Sequence, residues 1–161
     1  LNVWPYVSAL NYYVIRYADV LLWKAEAAIE NGNLEVGRTY INMVRERAMT
    51  GKKVSNIDNT GEAANYMIST YDQGFTNYEA AIKALRRERR LEFALEGHRF
   101  FDLVRWGIAA DRINEFLEEE KQFRTHLTNA VFEKGTHEYF PIPQSYIDLV
   151  GQEKVTQNPG Y

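Results

Sequence analysis

From residue 12 to residue 31, apolar side chains recur at intervals of three and four, at Ile15, Ala18, Leu22, Ala25 and Ile29. That spacing lines one face of an α-helix. Gly32 follows where a helix commonly ends in a left-handed residue, and Asn33 and Leu34 leave only a short connection. A second periodic stretch covers residues 35–48, with Val36, Tyr40, Ile41, Val44 and Ala48 on its inward stripe and Arg45 and Arg47 pointing outward. Two helices joined by so short a turn must pack antiparallel. Small residues at Ala25, Ala28 and Gly37 let the backbones approach, so residues 12–48 are expected to form a helical hairpin.

The hairpin resembles a tetratricopeptide unit, a repeat of about 34 residues. Gly37 stands where that repeat has alanine and Val44 where it has a small residue, and no second copy follows in register. A regular peptide-binding array is therefore not expected.

Residues 50–77 turn polar and turn-rich, with Gly51, Asn56, Asp58, Asn59, Gly61 and Gly74, and leave room for a short helix over residues 62–71. A loop of this length in a compact domain is usually functional or inserted. Helical patterns resume over residues 78–126. The first carries Ile82, Leu85, Phe93 and Leu95 up to Glu96, the second runs from His98 to Trp106, and the third from Ile108 to about Arg124 with Ile113, Phe116 and Leu117 inward. The second is apolar enough to be largely enclosed. Pro141 and Pro143 exclude helix from the stretch 138–142. Ser145 suits the start of a short helix over residues 144–150 within an otherwise extended and irregular tail, residues 127–161. The fold class is all-α.

With 161 residues, 45% hydrophobic and 25% charged, the chain is long enough for one compact unit with its own core. A net charge of −3 provides no field for nucleic acid. Without cysteine there is no disulfide framework, thiolate metal site or cysteine nucleophile. Residues 1–6 contain no basic region, signal core or lipidation cysteine, so any export address is expected upstream.

Three stretches are more specific than any periodicity. The first is Arg16-Tyr17-Ala18-Asp19-Val20-Leu21-Leu22 running into Ala25-Glu26-Ala27; the second extends from Arg87-Glu88-Arg89-Arg90-Leu91-Glu92-Phe93 through Glu96-Gly97-His98-Arg99-Phe100-Phe101-Asp102 to Trp106-Gly107. The third pairs Tyr139-Phe140-Pro141-Ile142-Pro143 with the terminal Gln157-Asn158-Pro159-Gly160-Tyr161. In this order they resemble the carboxy-terminal part of the RagB/SusD family over nearly the whole chain. The resemblance implies a mainly helical protein with tetratricopeptide-like hairpins, lipid-anchored on the outer face of the bacterial outer membrane through an amino-terminal part absent from this chain. It also implies a non-catalytic binder that captures oligosaccharide or polysaccharide and passes it to a SusC-like TonB-dependent transporter. A helical module gripping a peptide or protein is the alternative.

Glu88, Glu92 and Glu96 lie four apart on one expected helix face, interleaved with Arg86, Arg89 and Arg90. Paired carboxylates can serve as the acid and base of a glycosidase. Carboxylates matched by nearby arginines are neutralised, so the row reads instead as a structural ion-pair network of Arg16, Asp19, Glu88, Arg89, Glu92, Glu96, Arg99 and Asp102. Arg16 and Asp19 would pair with each other or with the second helix. No catalytic residue and no cofactor are assigned. His98, His126 and His137 have no metal-ligand spacing, so no metal is expected. Trp106 could stack on a sugar but reads as core. The ligand candidates are aromatics outside the regular helices: Trp4, Tyr6, Tyr12, Tyr66, Tyr71, Phe75 and Tyr78. Asn56, Asp58, Asn59, Asn65 and Asp72 could bond sugar hydroxyls, and the reading against each residue is that of a loop anchor packed on the helices.

Overall fold

The computed structural model describes residues 13–161. They fold into six α-helices and one 3₁₀ turn, with a single isolated β-bridge between Ser55 and Glu62. The described residues fall into two compact units, one ending at Phe93 and the other running from Ala94 to Tyr161.

In the first unit, α1 (Tyr17–Glu30) and α2 (Leu34–Thr50) form the expected hairpin. Gly32 is left-handed at φ 77, its N–H donates to the Ile29 carbonyl at 2.9 Å, and Asn33 N–H reaches the Ala28 carbonyl at 2.8 Å. This double bond satisfies two of the last carbonyls of α1 and turns the chain. Gly37 faces Ile29, and a Cβ at residue 37 would overlap the Ile29 side chain and lie 3.3 Å from the Ala25 carbonyl oxygen. The glycine is what allows the close approach.

α3 (Tyr78–Glu92) packs on both helices, its start capped by Asn77 Oδ1 accepting from Ala80 N–H at 2.9 Å. Leu22, Ala25 and Ile29 from α1, Ile41 and Val44 from α2, and Ile82, Leu85 and Phe93 from the α3 region form the core. The expected stripes need correction at their edges. Helix α1 begins at Tyr17, Ile15 is 58% exposed before it, and Val36 lies on the flank of α2 at 43% exposure.

Helix α3 ends four residues earlier than the pattern suggests. Phe93 is buried as the residue after the last turn, and Leu95 follows at φ 66 with its side chain in solvent. A left-handed leucine cannot continue a helix.

The connection 51–77 contains no helix over residues 62–71. Its second half runs extended along α2, which supplies the hydrogen bonds a helix would have made internally. Asn42 accepts from Tyr71 N–H at 2.9 Å and donates to the Tyr71 carbonyl at 3.0 Å, Arg38 donates to the same carbonyl, and Arg45 donates to the Ser69 carbonyl. Every buried backbone group needs such a partner.

In the second unit, α4 (His98–Arg105) starts after left-handed Gly97 and stops at left-handed Gly107. α5 (Ala109–Glu120), the 3₁₀ turn Thr125–Leu127 and α6 (Gln144–Val150) follow. α5 ends before the expected Arg124, and Phe116 is exposed. Helix α4 is not enclosed as its apolar sequence suggests, because Phe101 is 71% exposed and only Asp102 and Leu103 are buried.

The irregular segments of this unit are pinned by two further carboxamides. Asn114 on α5 accepts from Phe132 N–H at 2.8 Å and donates to its carbonyl at 2.9 Å. Gln157 does the same to Ile142, at 2.7 and 2.9 Å, while Asn158 donates to the Phe140 carbonyl and Tyr161 to the Tyr139 carbonyl. The two halves of the third sequence motif therefore hold each other.

Replacing Asn42 by alanine removes both bonds to Tyr71 and leaves that peptide group underpaired. The expected loss is about 1–3 kcal/mol in urea unfolding, accompanied by faster protease cleavage within residues 64–73. Unchanged stability and cleavage would mean that Arg38 and Arg45 hold the segment without it.

Candidate functional site

Arg16 and Asp19 of the first motif and Glu88, Arg89 and Glu92 of the second meet where α1, α2 and α3 come together. Arg16, just before α1, pairs through Nη1 with the Glu92 carboxylate and donates through Nη2 to the Glu92 backbone carbonyl at 2.7 Å. One turn along α1, Asp19 faces Arg89 of α3, with Oδ1 to Nη2 at 3.7 Å and both side chains almost fully buried. The two helices thus exchange charges, a cation and an anion on each side. The first-turn position of Asp19 also suits the positive end of the α1 dipole.

Helix α2 completes the cluster with residues expected to point outward. Arg45 Nη1 reaches Glu88 Oε2 at 2.7 Å with only 15% of its side chain exposed, and Arg47 Nη2 lies 2.7 Å from both Glu92 oxygens. Arginine faces complete the packing: Arg16 and Arg89 lie over the Phe93 ring at 4.7 and 4.9 Å, and Arg45 over Tyr71 at 4.7 Å. Arg45, Arg47 and Phe93 were missing from the expected network. A count of charges gave no signal, since α3 carries five cations against three carboxylates of its own.

Glu96 does not share the helical face of Glu88 and Glu92. It lies in the turn after α3, in the second unit, so the expected row of three glutamates on one helix face does not form. Glu92 is clasped by two guanidinium groups, the arrangement of a neutralised anion. In the second unit Asp102 is buried and accepts from Arg105 Nε at 3.0 Å, and the Arg105 guanidinium covers half-buried Trp106 at 4.8 Å. Arg99 stands half-buried in the first turn of α4.

The ligand candidates separate by position. Trp4, Tyr6 and Tyr12 lie outside the described residues. Tyr71 and Phe75 pack on the core of the first unit with ring centroids 5.4 Å apart. Tyr66 is half-buried with Lys53 Nζ 5.8 Å from its ring centroid, and Tyr78 donates to Glu30 at 2.8 Å. That bond to a carboxylate, with burial second, raises the Tyr78 pKa. Among the polar loop residues, Asn56 Oδ1 accepts from Thr60 and Gly61 N–H, Asp58 accepts from the Thr60 hydroxyl, and Asp72 from the Thr70 hydroxyl. Asn59 adopts the left-handed conformation of the same turn, and Asn65 is exposed. Among the described residues no group of three or more His, Cys, Asp or Glu side chains is placed to hold a metal ion, and no helix is long and apolar enough to cross a membrane.

Burial pushes the Glu88 carboxyl above its ordinary value of 4.5, outweighing the opposing hydrogen bond from Arg45. The folded protein therefore holds this proton more tightly than the unfolded chain does. The corresponding stability is complete below pH 4.5 and is lost as pH rises through the folded value. Glu88→Gln abolishes this titration, so the variant should gain stability relative to the parent as pH rises above 4.5 in urea unfolding. A stability difference that does not change with pH would show that Arg45 offsets the burial completely.

The SusD family model matches residues 5–161. A SusD-like protein of Formosa agariphila is 33% identical over 153 residues, which cover 94% of this chain and 25% of that protein. A SusD-like protein of Bacteroides ovatus is 32% identical over 123 residues, covering 73% of this chain and 18% of that one. Among solved structures, a SusD homolog from Bacteroides thetaiotaomicron has a TM-score of 0.70 at 31% identity, covering 96% of this chain and 28% of its own. A SusD superfamily protein from Bacteroides vulgatus has a TM-score of 0.66 at 29% identity, covering 98% and 29% respectively. The chain spans about a quarter or less of the length of the curated relatives it matches. With the three motifs and the all-α architecture of the described residues beside a family model that matches residues 5–161, the chain belongs to the SusD family.

Proposed function

We propose that this chain is part of a non-catalytic glycan-capture protein, displayed by a lipid anchor on the outer face of the outer membrane, that delivers oligosaccharide or polysaccharide to a SusC-like TonB-dependent transporter. Family membership over residues 5–161 carries the reading. The clasp of Glu92 by Arg16 and Arg47 supports the non-catalytic part, because a carboxylate held as an anion by two guanidinium groups is poorly placed to donate a proton to a glycosidic oxygen.

Within the described loop, Tyr66 is the aromatic candidate outside the core cluster, whereas Tyr71 and Phe75 serve as the anchors that position the loop. Trp4 and Tyr6 are proposed alongside Tyr66 as stacking residues. Recognition by ring stacking and hydroxyl hydrogen bonds predicts modest affinity that barely responds to salt.

Isothermal titration of the 161-residue chain and of the full-length gene product against plant, host and microbial oligosaccharides tests this. Binding by the full-length protein is expected, with no reducing sugar released. Alanine at Trp4, Tyr6 or Tyr66 should weaken binding at least tenfold wherever this chain contributes to the site. Failure of the full-length protein to bind any glycan would sink the reading in favour of a tetratricopeptide-like protein or peptide binder.

A further inference from the structure

Helix α3 sorts its charges by side. Glu88 and Glu92 turn inward to Arg45, Arg16 and Arg47, whereas Lys83, Arg87 and Arg90 lie exposed on the outward side. Intervals of four and three place these cations in one row along the helix. At a rise of about 1.5 Å per residue they stand roughly 6 and roughly 4.5 Å apart along its axis.

Elsewhere the surface arginines Arg38, Arg112 and Arg124 each pair with a glutamate three or four residues away. Among the described residues Arg87 and Arg90 have no carboxylate within ion-pair distance, and the helix offers them none. The positions three and four away from Arg87 hold Lys83, Ala84, Arg90 and Leu91, and those around Arg90 hold two further arginines, Phe93 and Ala94. Like charges at this spacing destabilise a helix. The helix dipole favours Arg90 near the carboxy-terminal end, but Lys83 stands in the first half of α3, beyond its reach.

A row of uncompensated cations is complementary to a linear polyanion. In a chain of net charge −3, one helix row is narrow for a flat phosphate surface and weak for nucleic acid. It suits a single extended chain that carries an anionic group on successive sugars. We propose that the outward row of α3 is a docking site for acidic glycans, polysaccharides that bear carboxylate or sulfate groups, with Arg87 at its centre. This names the substrate class within the glycan-capture reading and rests on it. Arginine forks meet carboxylates and tetrahedral oxyanions with paired hydrogen bonds, and Lys83 adds a point charge. Neutral sugars, held by stacking, keep a weak salt response, whereas acidic ones add a part that salt screens.

The test is affinity electrophoresis of the full-length gene product in native gels containing polygalacturonate, its methyl-esterified neutral form, or chondroitin sulfate. Both acidic polymers should retard the protein more than the neutral form does, and the retardation should fade as salt is added. Lys83→Gln/Arg87→Gln/Arg90→Gln should weaken that binding by about fivefold or more, while Arg87→Lys/Arg90→Lys retains most of it. Lys52→Gln/Lys134→Gln/Lys154→Gln removes the same charge from exposed sites elsewhere and should keep the parent affinity. Should the triple variant of α3 lose its helical circular dichroism, Arg87→Gln alone carries the comparison. Equal loss in the two triple variants would overturn the proposal, as would capture by vesicles of anionic phospholipid without binding to either acidic polymer. Binding of neutral but not of acidic glycans would overturn it and leave the capture reading intact, whereas a full-length protein that binds no glycan at all would remove both.

Discussion

An almost strandless fold must still satisfy the backbone of its extended segments, and here side-chain carboxamides perform that role. Asn42, Asn114 and Gln157 each bond both the N–H and the carbonyl of one distant residue, Tyr71, Phe132 and Ile142 respectively. A carboxamide offers a donor and an acceptor at the separation of a peptide group, so one residue imitates a neighbouring strand. Substituting the nearest apolar side chain would keep the volume and lose both bonds. The long connection of the first unit and the terminal segment of the second owe their course to this device.

The second constraint is charge balance in the first unit. Arg16 and Asp19 near the start of α1 meet Glu92 and Arg89 on α3, and α2 adds Arg45 and Arg47. Buried ions are weak evidence for net stability, because desolvation opposes their attraction, but removing one partner strands the other. The register of α1 against α3 is therefore specified by complementary charge as well as by Leu22, Ile29 and Leu85. Two sequence motifs separated by about 70 residues are two halves of a single contact.

What could be read from sequence followed from local rules. The hairpin, its Gly32 turn, the cap-to-cap course of α4 and the short α6 all depend on neighbours within four residues. What could not be read depended on distant partners. The end of this stretch runs extended because Asn42, Arg38 and Arg45 capture the backbone of Ser69 and Tyr71, and nothing near it in sequence announces this. Arg45 turns inward because Glu88 needs it. The early end of α3 goes with the left-handed backbone of Leu95, and Phe101 and Phe116 are exposed although apolar. For the ligand candidates, type suggested chemistry, whereas packing separates Tyr71 and Phe75 from Tyr66.

The contact of Gly37 with Ile29 has an evolutionary corollary. The departure from tetratricopeptide character at residue 37 is matched by a bulky branched side chain at residue 29 that occupies the space an alanine methyl would need. Position 37 cannot enlarge first: a larger residue there becomes tolerable only after 29 has shrunk, so the order in which substitutions can accumulate in this hairpin is restricted by steric fit between its two helices.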